Sequence, residues 1–329
     1  MAHEIYNGKF MSLRQPAWHG LGTVITDEIG AVEAGRRIGV PEIHTEHVLT
    51  TSGLPTGHKA IVGAVNQVPT VFAVVSNRYH EITHQSFCES WDKGVSAHVE
   101  TIGVLRDGAG MFISAKLPTF DVKGDEVEAY VLAENWLTGT RATKIKKTPV
   151  RVVCMNTLVM SDAEAVEEIR IHHNRTAVQQ LEQSLVGLIE RSTAEYCKLQ
   201  TVYEILASKK VNERTARSLL STVYPDRQAS PALLARASSD PLALDLLCAW
   251  ERSNKQQAEH REAAYALFAG DGVGADTKAA KGTAWGAYNA VVEYEQYLKK
   301  HRQIESLMFG EGRNRTAQAY DELCYLALQ

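Results

Sequence analysis

The chain has no CxxC pair, no HExxH, no excess of positive charge and no apolar run long enough to cross a bilayer, and each absence closes a class of function. Its five cysteines (Cys88, Cys154, Cys197, Cys248 and Cys324) are scattered over 329 residues. An odd, dispersed set argues for reduced thiols rather than a disulfide framework. No stretch approaches the roughly 18 apolar residues of a membrane span. The opening MAHEIYNGKF has none of the apolar core of a signal peptide, so a cytoplasmic protein with no membrane partner is expected. Thirty-five Lys and Arg stand against 39 Asp and Glu, a net charge of -4. The molecule as a whole is not a polycation, and any site for a polyanion must be a local patch.

The 44% hydrophobic and 22% charged composition fits a soluble globular chain with length for two domains. The residues divide into an α+β half and a helical half, 1–174 and 175–329. In the first, PAWHGLGTVI reads as a hydrophobic anchor for an N-terminal arm, with Trp18 turned onto the core. A short helix follows over Ile29–Ile38, stopped at Gly39. Strands are expected at His44–Leu49, Lys59–Asn66 and Thr70–Ser76, the last a buried one because VFAVVS is β-branched and apolar. Thr83 is placed to cap a helix.

From Ala97 the pattern is antiparallel sheet. One strand runs to Leu105, Asp107-Gly108 supplies a turn, and Met111, Ile113, Ala115 and Leu117 face one way along the next. Glu126–Glu134 alternates again, and Thr148–Cys154 gives a fourth strand. Ser161-Asp162 is expected to cap a helix with Glu164, Glu167 and Glu168 in its first turn. Beyond Arg175, apolar residues recur at helical spacing. A long helix bends near Gly187, another runs from Asn212 to Tyr224, and further helices cover Leu242–Leu267, Trp285–Leu298 and Arg315–Leu328.

The strongest chemical signal lies between the third and fourth strands of this sheet. Arg141, Lys144, Lys146, Lys147 and Arg151 fall in eleven residues with no acid among them. A basic rim on a sheet suits phosphates, and Trp136 and Tyr130 are near enough in sequence to stack on bases. Other constellations are weaker. The pairs His44/His47, His80/His84 and His172/His173 lack a third ligand at dependable spacing. Cys154 ends an apolar strand and reads as a small hydrophobe. The Gly270–Ala275 loop follows a helix and lacks the Lys-Ser/Thr ending of a phosphate loop, so it reads as a flexible connection.

Four phrases in order, PAWHGLGT, TPVRVVCMNTL, IRIHHN and GTAWGAYNAVVEY, resemble a family of domains of unknown function borne by phages, prophages and conjugative plasmids. That family has no established catalytic residues, so the resemblance carries over no active site. The architecture of antiparallel strands, basic connector and helix is also similar to phage single-strand annealing proteins. That similarity implies a ring or filament of subunits, a basic groove for single-stranded DNA and no cofactor.

The expectation is therefore a non-catalytic, homo-oligomeric single-stranded DNA-binding protein of phage or plasmid recombination. Arg141, Lys144, Lys146, Lys147 and Arg151 would hold phosphates, Trp136 or Tyr130 would stack, and no metal site is expected. The rivals are a metal-dependent nucleic-acid enzyme using His80, His84, His172 or His173, and a phage-encoded factor that binds a host protein.

Overall fold

A computed structural model describes residues 5–13, 22–65, 68–151, 168–299 and 310–329. Trp18, Cys154, Ser161 and Asp162, singled out above, lie outside them, as do Glu164 and Glu167. Two compact units emerge: Met1–Phe120 with Glu126–Leu199, and Asp121–Asp125 with Gln200–Gln329.

The first unit is α+β. Among the described residues ten strands form two sheets: β1 (Ile5–Leu13), β2 (Thr23–Ile25), β3 (Ile43–Leu49), β4 (Pro55–Val65), β5 (Val68–Ser76), β6 (Thr101–Leu105), β7 (Gly110–Val122), β8 (Asp125–Trp136), β9 (Thr143–Arg151) and β10 (Glu168–Ile171). The larger sheet runs β10-β9-β8-β7-β6-β1-β2, the smaller β3-β4-β5. The expected hairpin about Asp107 joins β6 to β7, pairing Leu105 with Gly110. Arg106, Asp107 and Gly108 all take positive φ there, the left-handed backbone a tight reversal needs.

β7 and β8 do not alternate between core and solvent. Met111 to Ala115 and Ala129 to Trp136 are buried residue after residue, so both faces of the sheet are covered at its centre. The opposite departure occurs in β5. The run VFAVVS lies on the outer strand of the smaller sheet, and Val68, Val71 and Val74 are exposed while Val75 is buried. A β-branched run carries strand propensity, but its position in the sheet decides how much it buries.

Helix α1 (Ala31–Ile38) ends at Gly39, whose φ of 65° lets its N–H close on the last turn. No side chain of its own caps its start. Asp92 does so from α2 (His84–Gly94), accepting from Ala31 N at 2.5 Å and Val32 N at 3.0 Å. Helix α2 is capped as expected, Thr83 accepting from Ser86 N at 3.1 Å. His84, Phe87, Cys88 and Trp91 form its buried stripe. The long helix expected after Arg175 is two, α3 (Ala177–Glu190) and α4 (Ser192–Ser208), with the break at Arg191 rather than Gly187.

The second unit is helical: the end of α4, then α5 (Glu213–Val223), α6 (Pro231–Ala237), α7 (Pro241–Ala266), α8 (Ala284–Glu293) and α9 (Glu311–Leu328). Asn212 caps α5, accepting from Thr215 N at 2.9 Å. In the phrase GTAWGAYNAVVEY, Thr283 caps α8, Trp285 Nε1 donates to Asp125 at 2.8 Å, and Gly286 passes the Ala280 carbonyl where no side chain fits. The glycine-rich loop is latched, since Val273 N donates to both carboxylate oxygens of buried Glu293 at 3.1 Å.

Candidate nucleic-acid interface

The basic connector is not a loop. Thr143 to Lys147 are already part of β9, an inner strand flanked by β8 and β10. Lys146 and Lys147 face opposite sides of the sheet, and both are buried, 1% and 0% exposed. Lys146 lies opposite Leu132 and next along its face to the Glu134–Lys144 pair; Lys147 lies opposite Val131. The accessible part of the run is smaller. Lys144 is half-buried and meets Glu168 at 3.2 Å. Arg141 packs its guanidinium 4.5 Å from the centre of the Trp136 ring. Arg151 ends β9 opposite Val127, and its side chain lies outside the described residues.

Neither aromatic presents a face to solvent. Trp136 is buried against Gly110, where any Cβ would stand 2.5 Å from the ring, and Arg106 lies 5.5 Å from its centre. Tyr130 is buried as well, donating its hydroxyl to Glu128, and burial pushes its phenol upward. Both rings anchor the sheet.

The residues the structure does bring together at this edge come from further along the chain. Glu168, expected in a helix, opens β10 instead, paired with Lys146. Its carboxylate holds both Lys144 and Arg170, which lie opposite one another across β9 and β10. The end of β10 is pinned by a directed chain of hydrogen bonds. Tyr79 OH donates to His173 Nδ1 at 2.7 Å, and His173 Nε2 to Thr143 Oγ1 at 3.0 Å. Thr143 donates in turn to Asn135 Oδ1 at 2.6 Å, and Asn135 to the Ile82 carbonyl at 2.7 Å. Burial lowers His173 to about 4, so the ring is neutral. Every polar atom in this chain is engaged, which suits a clamp rather than a general base.

Between β10 and α3 lies an open groove of about 340 Å³. Arg170, Gln180, Gln183, Ser184 and Arg191 line it, and no carboxylate does among the described residues. Gly187 makes room for Arg191, whose guanidinium would stand 3.0 Å from a Cβ there. Arg191, Arg170 beyond its ion pair with Glu168, two amides and a hydroxyl form a donor-rich surface that matches phosphate oxygens. Sequence reasoning missed this set because Arg170 and Arg191 are 21 positions apart, and only the packing of α3 beside β10 unites them. The signal that was present is IRIHHN, whose alternation is that of a short strand.

The histidine pairs do not converge. His80 precedes α2, so it and His84 do not share a helix face, and exposed His44 pairs with Glu46 at 3.0 Å. Among the described residues no three His, Cys, Asp or Glu side chains group as metal ligands, and no helix is long and apolar enough to cross a membrane.

A model of a domain of unknown function, DUF932, matches residues 71–319. The chain belongs to the DUF932 family. The match begins in β5 and ends in α9, so the DUF932 region includes β6 to β10, the β10–α3 groove and the α8 phrase. No curated protein and no solved structure matches the chain.

Proposed function

We propose that this DUF932 protein is a non-catalytic, oligomeric binder of single-stranded DNA, acting in strand annealing during phage or plasmid recombination. The observation that carries the reading is the β10–α3 groove, a donor-rich path with two arginines and, among the described residues, no lining carboxylate, along the outer strand β10 of the larger sheet. Phosphate recognition along such a path is sequence-tolerant and weakens with salt, since each neutralised phosphate releases counterions. Arg170 and Arg191 take the role expected of Lys146 and Lys147, with Lys144 and Arg141 at the margin. The cellular role is taken from the sequence alone, from the four phrases that resemble a phage- and plasmid-borne family and the order of strands, basic run and helix that resembles phage annealing proteins.

The test is titration of fluorescent oligothymidylate at several salt concentrations, with light scattering on the same samples. Tight binding by a large oligomer that falls steeply with salt is expected. Absence of binding at low salt would sink the reading. Copurification of a host protein in that case would favour the protein-interaction alternative, and a stoichiometric metal the enzymatic one.

A further inference from the structure

The first three turns of α7 are apolar on the outside, where a surface helix is ordinarily polar. Of its 26 residues only Ala243, His260 and Ala264 are buried, and the neighbouring α6 buries none. Leu242 is 78% exposed and Leu246 43%. Surface helices turn such residues to the core, and an uncovered apolar stripe marks a contact surface.

Spacing and charge indicate what covers it. Leu242, Leu246, Ala249 and Ser253 recur at intervals of four, three and four, the seam of two helices packed along their length. Ala243 and Trp250 lie on one flank of the seam, buried and half-buried, so that flank is turned to the chain itself. Asp245 and Arg252 lie on the other flank. Both are exposed, and neither holds an ion pair among the described residues. From Pro241 to Trp250 Asp245 is the only charged side chain, and Arg236 just before them is held by Asp240 at 2.5 Å. Nucleic acid and anionic lipid both need uncommitted Lys or Arg, so neither is drawn to this face.

We propose that Pro241–Ser253 of α7 packs antiparallel on the same residues of a second copy of this chain, across a twofold axis. Leu242 then meets Ser253 of the other copy and Leu246 meets Ala249, a large residue against a small one each time. The two charged flanks lie side by side, which brings Asp245 of each copy beside Arg252 of the other. By symmetry the pair forms twice. A parallel pair would set Asp245 against Trp250 and Arg252 against Gln257, so the charges meet only in the antiparallel one. From Leu242 to Ser253 the seam is roughly 17 Å long at the rise of an α-helix. That is a small interface, and a dissociation constant on the order of micromolar is expected. The pairing gives the oligomer proposed above one of its contacts and rests on that reading for there being more than one copy, but DNA has no part in it.

Sedimentation equilibrium of the full-length protein without DNA, from about 1 to 100 µM, tests this. The parent is expected to associate over that range, and Leu242→Glu to lower its average mass. Asp245→Arg or Arg252→Asp alone sets like charges together at both pairs and should weaken association at least about tenfold. The combined D245R/R252D exchange should restore the parental constant. All three positions are exposed, so each variant should keep the parental circular dichroism spectrum. A parent that stays monomeric overturns the proposal, as does an L242E protein of parental mass or a combined variant as weak as the single ones. Oligothymidylate binding by the same samples separates the two readings. A monomer that binds it loses this interface and keeps the DNA path, whereas a charge-dependent dimer that does not bind it keeps the interface and loses the path.

Discussion

His173 and Thr143 stand 3.0 Å apart, Nε2 to Oγ1, and this bond joins the chain just beyond β10 to the first residue of β9. The donors all point one way. Thr143 gives its only hydrogen to Asn135, so its oxygen must accept from His173, which leaves Nδ1 to accept from Tyr79. Thr143→Val keeps the volume but orphans His173 Nε2 and Asn135 Oδ1 in a buried place. We expect a loss of about 1–3 kcal/mol, read as a lower urea midpoint. The clamp is not structural if the T143V midpoint equals that of the parent.

Acid should weaken this unit before its carboxylates protonate. His173 and His84 both sit near 4 in the fold because burial disfavours their charged forms. An unfolded histidine titrates near 6.5. Between those values the unfolded chain binds more protons, so stability is full above about 6.5 and drains away as pH falls toward 4. From pH 7 to pH 5 the loss is about 2 kcal/mol per histidine, or about 4 in all. Glu33 belongs to a different window: its hydrogen bonds to Arg36 and Arg37 lower it to about 2, so its contribution is full above the ordinary glutamate value and drains away as pH falls from there toward 2. Urea unfolding at pH 7, 6 and 5 checks the prediction, and a flat midpoint across that range contradicts it.

Gly286 tests why the α8 phrase takes the form it does. A Cβ at this position would lie 2.0 Å from the Ala280 carbonyl oxygen, which is backbone and cannot swing aside. The amide of Gly286 is also the donor that Thr283 accepts in capping α8. Gly286→Ala should therefore cost about 2–3 kcal/mol through overpacking and lower the Tm measurably in calorimetry. The neighbouring Trp285–Asp125 bond should fail with it, seen as a shift in tryptophan fluorescence. An unchanged Tm would show that α8 can shift to admit the methyl group.

Features fixed by neighbouring residues were legible in the sequence. Thr83 and Asn212 cap helices because the amide each satisfies is three residues away. Gly39 stops α1 because its own backbone must turn left-handed. Features fixed by the sheet were not. The burial of Lys146 and Lys147 depends on β9 having strands on both sides, and the exposure of Val71 and Val74 on β5 having one. The cap of α1 comes from Asp92, 61 residues on, and no local pattern encodes it. The same holds at the site. A count of charge pointed to Arg141 through Arg151, whereas the groove draws Arg170 from a four-residue strand and Arg191 from a break between helices.

The two sets of cations can be separated by experiment, because they should fail in different ways. Lys147→Glu places a carboxylate where the side chain is fully buried opposite Val131. Reversing a buried charge costs about 3–5 kcal/mol, so this variant should lose DNA binding only by losing its fold. Arg170 is 61% exposed in its side chain, and its reversal disturbs no core packing. Arg170→Glu combined with Arg191→Glu should keep the parental circular dichroism spectrum with only a small fall in Tm, since the Arg170 end of the Glu168 pair it breaks is exposed. It should bind oligothymidylate at least tenfold more weakly, with a salt slope reduced by about 2, one for each phosphate contact removed. Retention of parental affinity and slope in that folded double variant would move the DNA path away from β10. The Lys147 variant alone could not decide the point, because an unfolded chain binds nothing specifically.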